Sequence, residues 1–171
     1  MTMKQHIFCA LVGLLGLFAA GQASAGSLPV PTEKPILTIS GKISTTNKDG
    51  KAQFDRPMLE SLGMTTVETT TPWYNGPVKF EGVSLDKLMK LVGATGERVV
   101  VVALNDYTSE IPLADFSKYK VILALKRNGE YMPVKDKGPL FIIYPFDSQP
   151  ELKNSTYYGR SVWQVSTIDV K

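Results

Sequence analysis

The sequence predicts an α+β protein with a mostly β core, formed by a mixed or barrel-like sheet, and two or three short helices. Four observations support this class. Runs of apolar residues, or of alternating apolar and polar residues, are rich in Val and Ile and recur along the chain as strands do. Asp-Gly and Asn-Gly pairs beside these runs are typical of tight turns. Short segments preceded by helix-capping residues interrupt these runs, and the chain contains neither an internal repeat nor an internal linker.

The first 25 residues are typical of a secretory signal peptide. Lys4 supplies a positive charge, residues 7–20 (IFCALVGLLGLFAA) are apolar, and Ala23-Ser24-Ala25 is a small-residue cleavage site. The apolar run is shorter than the roughly 20 residues that a spanning helix needs, so a retained membrane anchor is the weaker alternative. We therefore expect cleavage after Ala25 and a location in the bacterial periplasm.

Composition limits the chemistry of the mature chain. The sequence has one Cys and one His, and both Cys9 and His6 lie in the predicted signal peptide. The mature chain therefore has no thiolate nucleophile, no disulfide, and no imidazole base or metal ligand. The formal net charge is only +3 and the basic residues are spread along the chain, which disfavours nucleic acid as a partner.

After the signal peptide, we expect one domain preceded by a short leader. Residues 26–35 contain three prolines and are predicted to be extended and to pack little. Residues 36–171 are predicted to form a single domain, since a chain of about 150 residues builds one sizeable core.

Alternation and helix caps predict the elements in the first half of this domain. Residues 36–43 alternate apolar and polar side chains as a strand does, and residues 64–71 are rich in β-branched residues. Helices are predicted over 55–63 and 84–92, because a residue suited to N-capping begins each segment and Gly follows or ends it. The caps are Asp55 and Ser84, the tight turn is Asp49-Gly50, and residues 71–76 are predicted to be a loop exposing Trp73 and Tyr74.

The second half is predicted to consist mostly of strands. Residues 98–104 (RVVVVAL) are almost entirely apolar, which is typical of a strand buried on both faces. Asn128-Gly129 is a strong hairpin signal. Residues 146–158 are polar, contain Pro150, and are predicted to form a loop. The other predicted strands cover residues 107–111, 121–126, 130–133, 138–145 and 162–170.

Aromatic residues at predicted strand ends suggest a binding site. Such residues with polar neighbours suit a flat heterocycle, because a ring face stacks on an aromatic side chain while polar groups contact its edge. The alternative is that they pack the ends of the core and fasten the long loop. Asp106, Asp115, Asp136, Asp147 and Glu151 are scattered in or beside loops, and no spacing joins two of them as an acid–base pair. The aromatic group comprises Trp73, Tyr74, Tyr107, Tyr144, Tyr157, Tyr158 and Trp163, with Arg160 beside the last three.

Residues 80–93 (FEGVSLDKLMKLVG) resemble a stretch of the sulfite-oxidase-like molybdopterin-binding domain, W-x-G-V-x-L-x-x-L-L-x-x-A-G. Shorter matches follow in the same order, and the resemblance covers roughly residues 37–170. The matching positions are Gly82, Val83, Leu85, Leu88, Gly93, Asp106-Tyr107, Leu123-Ala124, Asn128-Gly129, Met132-Pro133, Gly138-Pro139-Leu140 and Arg160-Ser161-Val162-Trp163.

The resemblance implies a fold like the sulfite-oxidase molybdopterin domain, and the departures from it imply loss of redox chemistry. Members that catalyse oxidation hold molybdenum through a Cys in a segment corresponding roughly to residues 69–73, and no Cys is present there. Lys137 and Phe141 stand where those members have His and Arg. We therefore expect a protein that is not an enzyme, with no catalytic residue and no bound metal.

Short exported members without that Cys resemble periplasmic pterin-binding proteins. That group is thought to relay pterin availability to a membrane-bound cyclic-di-GMP synthase/phosphodiesterase. The resemblance therefore implies a pterin as ligand, no tightly bound cofactor, and the periplasmic domain of a membrane sensor enzyme as partner. Two alternatives stay open: a periplasmic molybdopterin-dependent oxidoreductase, and a periplasmic interaction module with a vestigial pocket.

The resemblance also implies candidate ligand-binding residues. It places Asp106 and Tyr107 at the edge of the pocket, and Arg160 and Ser161 in a cofactor-contacting segment. Trp73 lies where the metal-binding loop would be and is expected to stack in that space. Tyr144 and Asp147 are added as polar groups that follow a core strand.

Overall fold

Strands dominate the part of the chain that the structure, a computed structural model, describes, which is residues 28–171. The predicted α+β class with a mostly β core is confirmed. The strands are β1 (Leu37–Gly41), β2 (Ala52–Phe54), β3 (Met64–Thr71), β4 (Tyr74–Ser84), β5 (Arg98–Ala103), β6 (Thr108–Pro112), β7 (Ile122–Arg127), β8 (Glu130–Tyr131), β9 (Phe141–Ile143) and β10 (Val165–Val170). The helices are α1 (Arg56–Ser61), α2 (Leu85–Leu91), α3 (Leu113–Lys118) and α4 (Ser155–Arg160), with 3-10 turns at Val134–Asp136 and Pro150–Leu152.

The first sheet joins the beginning and the end of the domain. Its strand order is β2-β1-β10-β5-β6. β1 and β10 are parallel, with Ile39 opposite Ile168, and the other neighbours are antiparallel. Because β1 and β10 are far apart in sequence, this pairing is a long-range contact that no local pattern specifies.

The second sheet is built around β7. Its order is β3-β4-β7, and both β8 and β9 pair with the other side of β7. β4 is the longest strand, and residues 77–83 within it carry no clear strand signal in the sequence because Pro77 and Gly82 weaken the pattern. The β3–β4 hairpin matters for function because its turn reaches the candidate site described below.

The faces of β5 show how the first sheet meets the core. Val99, Val101 and Ala103 are buried, whereas Val100 and Val102 on the opposite face are only half-buried. The prediction that this strand is buried on both faces is therefore wrong. An apolar run cannot by itself distinguish a covered face from a half-exposed one, since that depends on what packs against the sheet.

Local signals placed the first two helices correctly. Asp55 caps α1 by accepting from the Met58 N–H at 2.9 Å, and Ser84 caps α2 by accepting from the Lys87 N–H at 3.3 Å. The tight turns at Asp49-Gly50 and Asn128-Gly129 are confirmed too, with positive φ at all four residues.

The loop predicted for residues 146–158 is wrong, because this segment contains a 3-10 turn and most of α4. α4 is six residues long, includes Gly159, and is capped by Asn154, whose side chain accepts from the Thr156 N–H at 2.9 Å. α3 follows Pro112 without a side-chain cap, so its sequence signal is also weak. Packing rather than helix propensity stabilises both short helices.

The leader is attached to the domain through a few specific contacts. Leu28 is buried in the main core, and the Pro29 carbonyl accepts from the Asn47 side chain at 2.8 Å. Asp55 also binds the leader, since its second carboxylate oxygen accepts from the N–H groups of Thr32 at 2.8 Å and Glu33 at 2.9 Å. Apart from the buried Leu28 and the half-buried Pro31, the described leader residues are exposed, so the prediction that the leader packs little holds for most of it.

The signal peptide predicted for residues 1–25, with Cys9 and His6, lies outside the described residues. Within residues 28–171, no helix is long and apolar enough to cross a membrane.

Asp55 joins the leader to α1, so its loss is expected to destabilise the fold. Asp55→Ala leaves three backbone N–H groups without their acceptor, and we expect the free energy of unfolding in urea to fall by about 2–4 kcal/mol. Asp55→Asn retains an oxygen acceptor and is the matched control, with a smaller expected loss.

The same contacts predict a pH dependence. Burial alone raises the pKa of the Asp55 carboxyl, but the N–H groups of Glu33, Met58 and Thr32 together hold it below the ordinary value of 3.8. A lowered pKa in the folded state means that this stabilisation is present above pH 3.8 and is lost as the pH falls through the folded-state pKa. Equal acid sensitivity of wild type and Asp55→Asn in urea titrations would contradict this role.

Candidate functional site

An aromatic cleft lies where three connections meet: the β3–β4 turn, the β5–β6 turn and the segment from α4 to β10. Its volume is about 240 Å³. Aromatic surfaces and a few polar groups converge there, which is the usual composition of a small-molecule site. Its lining residues are Trp73, Asn105, Tyr107, Tyr158, Gly159, Ser161, Val162 and Trp163.

A second hollow, of about 410 Å³, lies between the leader and the first sheet. Aliphatic, proline, serine and threonine residues line it, and Lys34 is the one charged residue among them. Because it has no aromatic surface on which a ring could stack, the aromatic cleft is the better candidate site.

Trp73 enters the cleft from the tip of the β3–β4 hairpin and is held edge-on by other rings. The interplanar angles run from 61° to 79°. The exposed loop predicted for residues 71–76 is therefore wrong, since Trp73 and Tyr74 are half-buried and Tyr74 begins β4. The ring centroids around Trp73 are those of Phe141 at 5.3 Å, Trp163 at 5.7 Å, Tyr158 at 6.2 Å and Phe146 at 6.3 Å.

Three polar side chains on the lining are held by hydrogen bonds. The Asn105 Oδ1 accepts from the Tyr107 N–H at 3.2 Å, and the Tyr107 hydroxyl donates to the Gly159 carbonyl at 3.0 Å. The Ser161 hydroxyl donates to the Tyr157 carbonyl at 3.0 Å. Within the described residues, the Asn105 side-chain NH₂ group makes no hydrogen bond, so it is free to donate to a ligand.

Asp106 lies in the turn beside the cleft without lining it. Its φ of +63° is in the left-handed region, which Asp tolerates better than most residues, and its N–H donates to the Ala103 carbonyl at 3.2 Å. Its side chain is exposed. The turn at Asp106 thus positions its two neighbours, Asn105 and Tyr107, which do line the cleft.

Arg160 and Tyr144 meet at a buried carboxylate, Asp115, away from the cleft lining. The Arg160 Nη1 and the Tyr144 hydroxyl both donate to the same oxygen of Asp115, each at 2.9 Å. Tyr144 is fully buried, and burial together with the negative charge of Asp115 raises the pKa of its hydroxyl far above the ordinary value. These contacts attach α4 to α3 and to the end of β9.

Asp147 fastens the hairpin rather than lining the cleft. Its carboxylate accepts from the Thr70 N–H and hydroxyl, both at 2.6 Å, and pairs with Lys153 at 2.6 Å. The Lys153 ammonium and the Thr70 donors lower the pKa of the Asp147 carboxyl to about 2.

Basic side chains also stay outside the cleft lining. Lys137 lies over the rings of Tyr74 and Trp163, at 5.0 and 5.5 Å from their centroids. Arg127 pairs with Asp136 at 2.8 Å and lies 4.5 Å from the Tyr74 ring centroid. The described lining of the cleft therefore contains no charged side chain.

Of the seven predicted ligand-binding residues, the structure brings Trp73, Tyr107 and Ser161 together on the cleft. Asp106, Tyr144, Asp147 and Arg160 lie around it in the positions described above. The lining residues missing from the prediction are Asn105, Tyr158, Gly159, Val162 and Trp163. Tyr158 and Trp163 belong to the aromatic group in the sequence, whereas only the fold shows that Asn105 faces them.

Among residues 28–171, no group of three or more His, Cys, Asp or Glu residues is placed to hold a metal ion.

The ion pair of Asp115 with Arg160 is expected to stabilise this side of the cleft. Arg160→Met leaves a buried carboxylate without its cation, and we expect the free energy of unfolding in urea to fall by about 2–3 kcal/mol, since the guanidinium is partly exposed. Arg98→Met is the matched control, because the Arg98–Glu110 pair is on the surface and should contribute less than about 1 kcal/mol. Equal losses in the two variants would contradict the structural role of Asp115.

Comparison with known proteins identifies the family. The family described as "oxidoreductase molybdopterin binding domain" matches residues 53–146. The solved structure of the sulfane dehydrogenase SoxCD from Paracoccus pantotrophus is similar, with a TM-score of 0.58 and 17% sequence identity. The match covers 85% of this chain and 40% of the SoxCD chain. No curated protein sequence matches.

The family match covers more than half of the chain, and the structural match has the fold predicted from the resemblance in the sequence. The chain therefore belongs to the oxidoreductase molybdopterin-binding domain family and has a fold like the molybdopterin domain of sulfite oxidase.

Proposed function

We propose that this protein binds a pterin, or a closely related flat heterocycle, in the aromatic cleft and does not catalyse a reaction on it. The observation that carries this proposal is the convergence of four aromatic residues and the free Asn105 NH₂ group on one uncharged cleft. Stacking on the aromatic surfaces would hold the ring, and the Asn105 amide would contact its polar edge.

The size of the cleft supports a small ligand. Its volume of about 240 Å³ is below the roughly 300–1,000 Å³ of pockets that take larger organic ligands. A single bicyclic ring suits this space better than a ring carrying long substituents. The hydroxyl oxygens of Tyr107 and Ser161 keep lone pairs after donating to backbone carbonyls, so they add acceptors at the same surface.

The donor set does not fit the metal-bearing part of the family's cofactor. Molybdenum in this family is expected to need a Cys from the segment at residues 69–73, and that segment forms the hairpin tip with Thr and Trp side chains. Residues 28–171 contain neither Cys nor His. The cleft lining also has no Lys or Arg to bind a phosphate group. We therefore derive no redox step.

Intrinsic fluorescence offers a direct test, because both Trp residues of the chain, Trp73 and Trp163, line the cleft. We expect oxidised biopterin or its tetrahydro form to quench this fluorescence and to raise the melting temperature. Asn105→Ala should weaken binding by about 5- to 20-fold, since it removes one hydrogen bond to the ligand. Asp106→Asn is the matched control in the adjacent position and should leave the affinity within about twofold.

Three outcomes would overturn this proposal. If several pterins cause neither quenching nor a thermal shift, the module-with-vestigial-pocket alternative is favoured. Molybdenum near one atom per chain in protein purified from its native host would favour the oxidoreductase alternative. A larger effect of Asp106→Asn than of Asn105→Ala would place the ligand outside the cleft.

The cellular role that we propose rests on the resemblance in the sequence. The protein would be exported to the periplasm and would relay pterin binding to the periplasmic domain of a membrane cyclic-di-GMP synthase/phosphodiesterase. Deleting the gene should then change the cellular cyclic-di-GMP level, and an Asn105→Ala copy should restore it less well than the wild-type copy. Full restoration by a copy lacking residues 1–25 would contradict a periplasmic site of action.

A further inference from the structure

We infer that Gly159 sets the size limit of the aromatic cleft, so that the ring of a bound ligand lies against the bare backbone of α4 at this position. The inference rests on the proposed function, because it concerns how the cleft accommodates its ligand. Three features carry it: the place of Gly159 on the cleft lining, the lack of a backbone reason for a glycine there, and the effect of glycine on a short helix.

Gly159 is a half-buried residue of α4 that belongs to the cleft lining. Its carbonyl accepts a hydrogen bond from the Tyr107 hydroxyl at 3.0 Å, and Tyr107 also lines the cleft. This bond ties the backbone of α4 to the β5–β6 turn that carries Asn105. The backbone at Gly159 is therefore held in place beside the group that we expect to contact the polar edge of the ligand.

The other described glycines have evident structural reasons. Glycine is needed where φ is positive, or where another part of the chain comes too close to leave room for a Cβ. Every other glycine within residues 28–171 meets one of these conditions. Those with positive φ are Gly41, Gly50, Gly63, Gly76, Gly93 and Gly129. A Cβ would collide with a backbone carbonyl oxygen at Gly82, Gly96 and Gly138.

Gly159 meets neither condition. Its φ is not positive. A Cβ added there would lie 3.7 Å from the Tyr107 hydroxyl oxygen, which is an ordinary van der Waals distance. The fold therefore has room for an alanine at this position.

Glycine also weakens the helix in which it lies. It loses more backbone conformational entropy on folding than alanine does, and Gly159 is the fifth of the six residues of α4. A helix this short has little stability of its own, so alanine would suit the fold better than glycine. The space that an added methyl group would reduce is that of the cleft.

The consequence for the ligand is steric. The cleft holds only about 240 Å³, and a glycine allows a ligand to approach the backbone more closely than any other residue does. Because the Gly159 carbonyl already accepts from Tyr107, the contact with the ring is mainly van der Waals contact at Cα. Gly159 thus limits the size of the ring that enters, while Asn105 contacts its edge.

Gly159→Ala tests this inference by separating stability from binding. The melting temperature of the ligand-free variant should be equal to that of wild type or higher by about 1–4 °C. Its affinity for oxidised biopterin, measured by Trp fluorescence, should fall by about 5- to 100-fold, because the methyl group overpacks the occupied cleft. A residue with a purely structural role would not change the two quantities in opposite directions.

Thr156→Ala is the matched control, since Thr156 is an exposed residue of the same helix outside the cleft lining. This substitution also raises helix propensity, and it should leave the affinity for biopterin within about twofold. A crystal structure of ligand-free Gly159→Ala supplies a measurement that needs no pterin. We expect the added methyl group to lie in the cleft with the surrounding rings unmoved.

Each contrary result has its own meaning. If wild type and Gly159→Ala bind biopterin equally well, the inference is wrong and the proposed function stands. A melting temperature several degrees below that of wild type would show that the fold itself requires the glycine, and would overturn the inference. If no pterin binds wild type, the proposed function fails, and the position of the methyl group in the crystal structure decides whether Gly159 limits the cleft.

Discussion

Trp73 is the side chain at which the two hydrophobic cores of this protein meet. It packs against the main core beneath the first sheet and also against the smaller cluster around Phe80 and Phe141 in the second sheet. The same ring lines the aromatic cleft. One surface of the cleft is thus continuous with the core, so a ligand stacked there would contact a ring that core packing already holds in place.

The hairpin that carries Trp73 depends on contacts made far away in sequence. Asp147 binds the end of β3 through Thr70, and Lys153 holds the Asp147 carboxylate charged. Away from the cleft lining, Asp115 accepts hydrogen bonds from both Arg160 and Tyr144. Because these ionic groups satisfy one another outside the lining, the cleft itself stays uncharged. Recognition there would depend on ring shape and on hydrogen bonds at the ring edge.

Much of the fold is predictable from local pattern, and the exceptions have clear physical causes. The caps at Asp55 and Ser84 and the turn at Asn128-Gly129 each involve only a few neighbouring residues. A short segment of sequence is therefore enough to specify each of them. α3 and α4 have six residues each, and tertiary contacts such as the Arg160–Asp115 pair stabilise them. Five of the eight lining residues were missing from the predicted site for a related reason. Tyr144 and Trp73 are both aromatic residues near strand ends, yet one is fully buried and the other lines a cleft.

The sequence by itself determined the class and the family. Ordered apolar segments, turn dipeptides and the motifs from Gly82 to Trp163 are properties of residue order, and the absence of Cys and His from residues 28–171 is a property of composition. Only the tertiary structure decided which residues share the cleft. Asn105, Tyr158 and Trp73 come from three separate connections, and the distances between them depend on sheet pairing and ring packing over long separations in the chain. Arg160 shows the same limit, since its guanidinium binds a carboxylate 45 residues away and does not line the cleft.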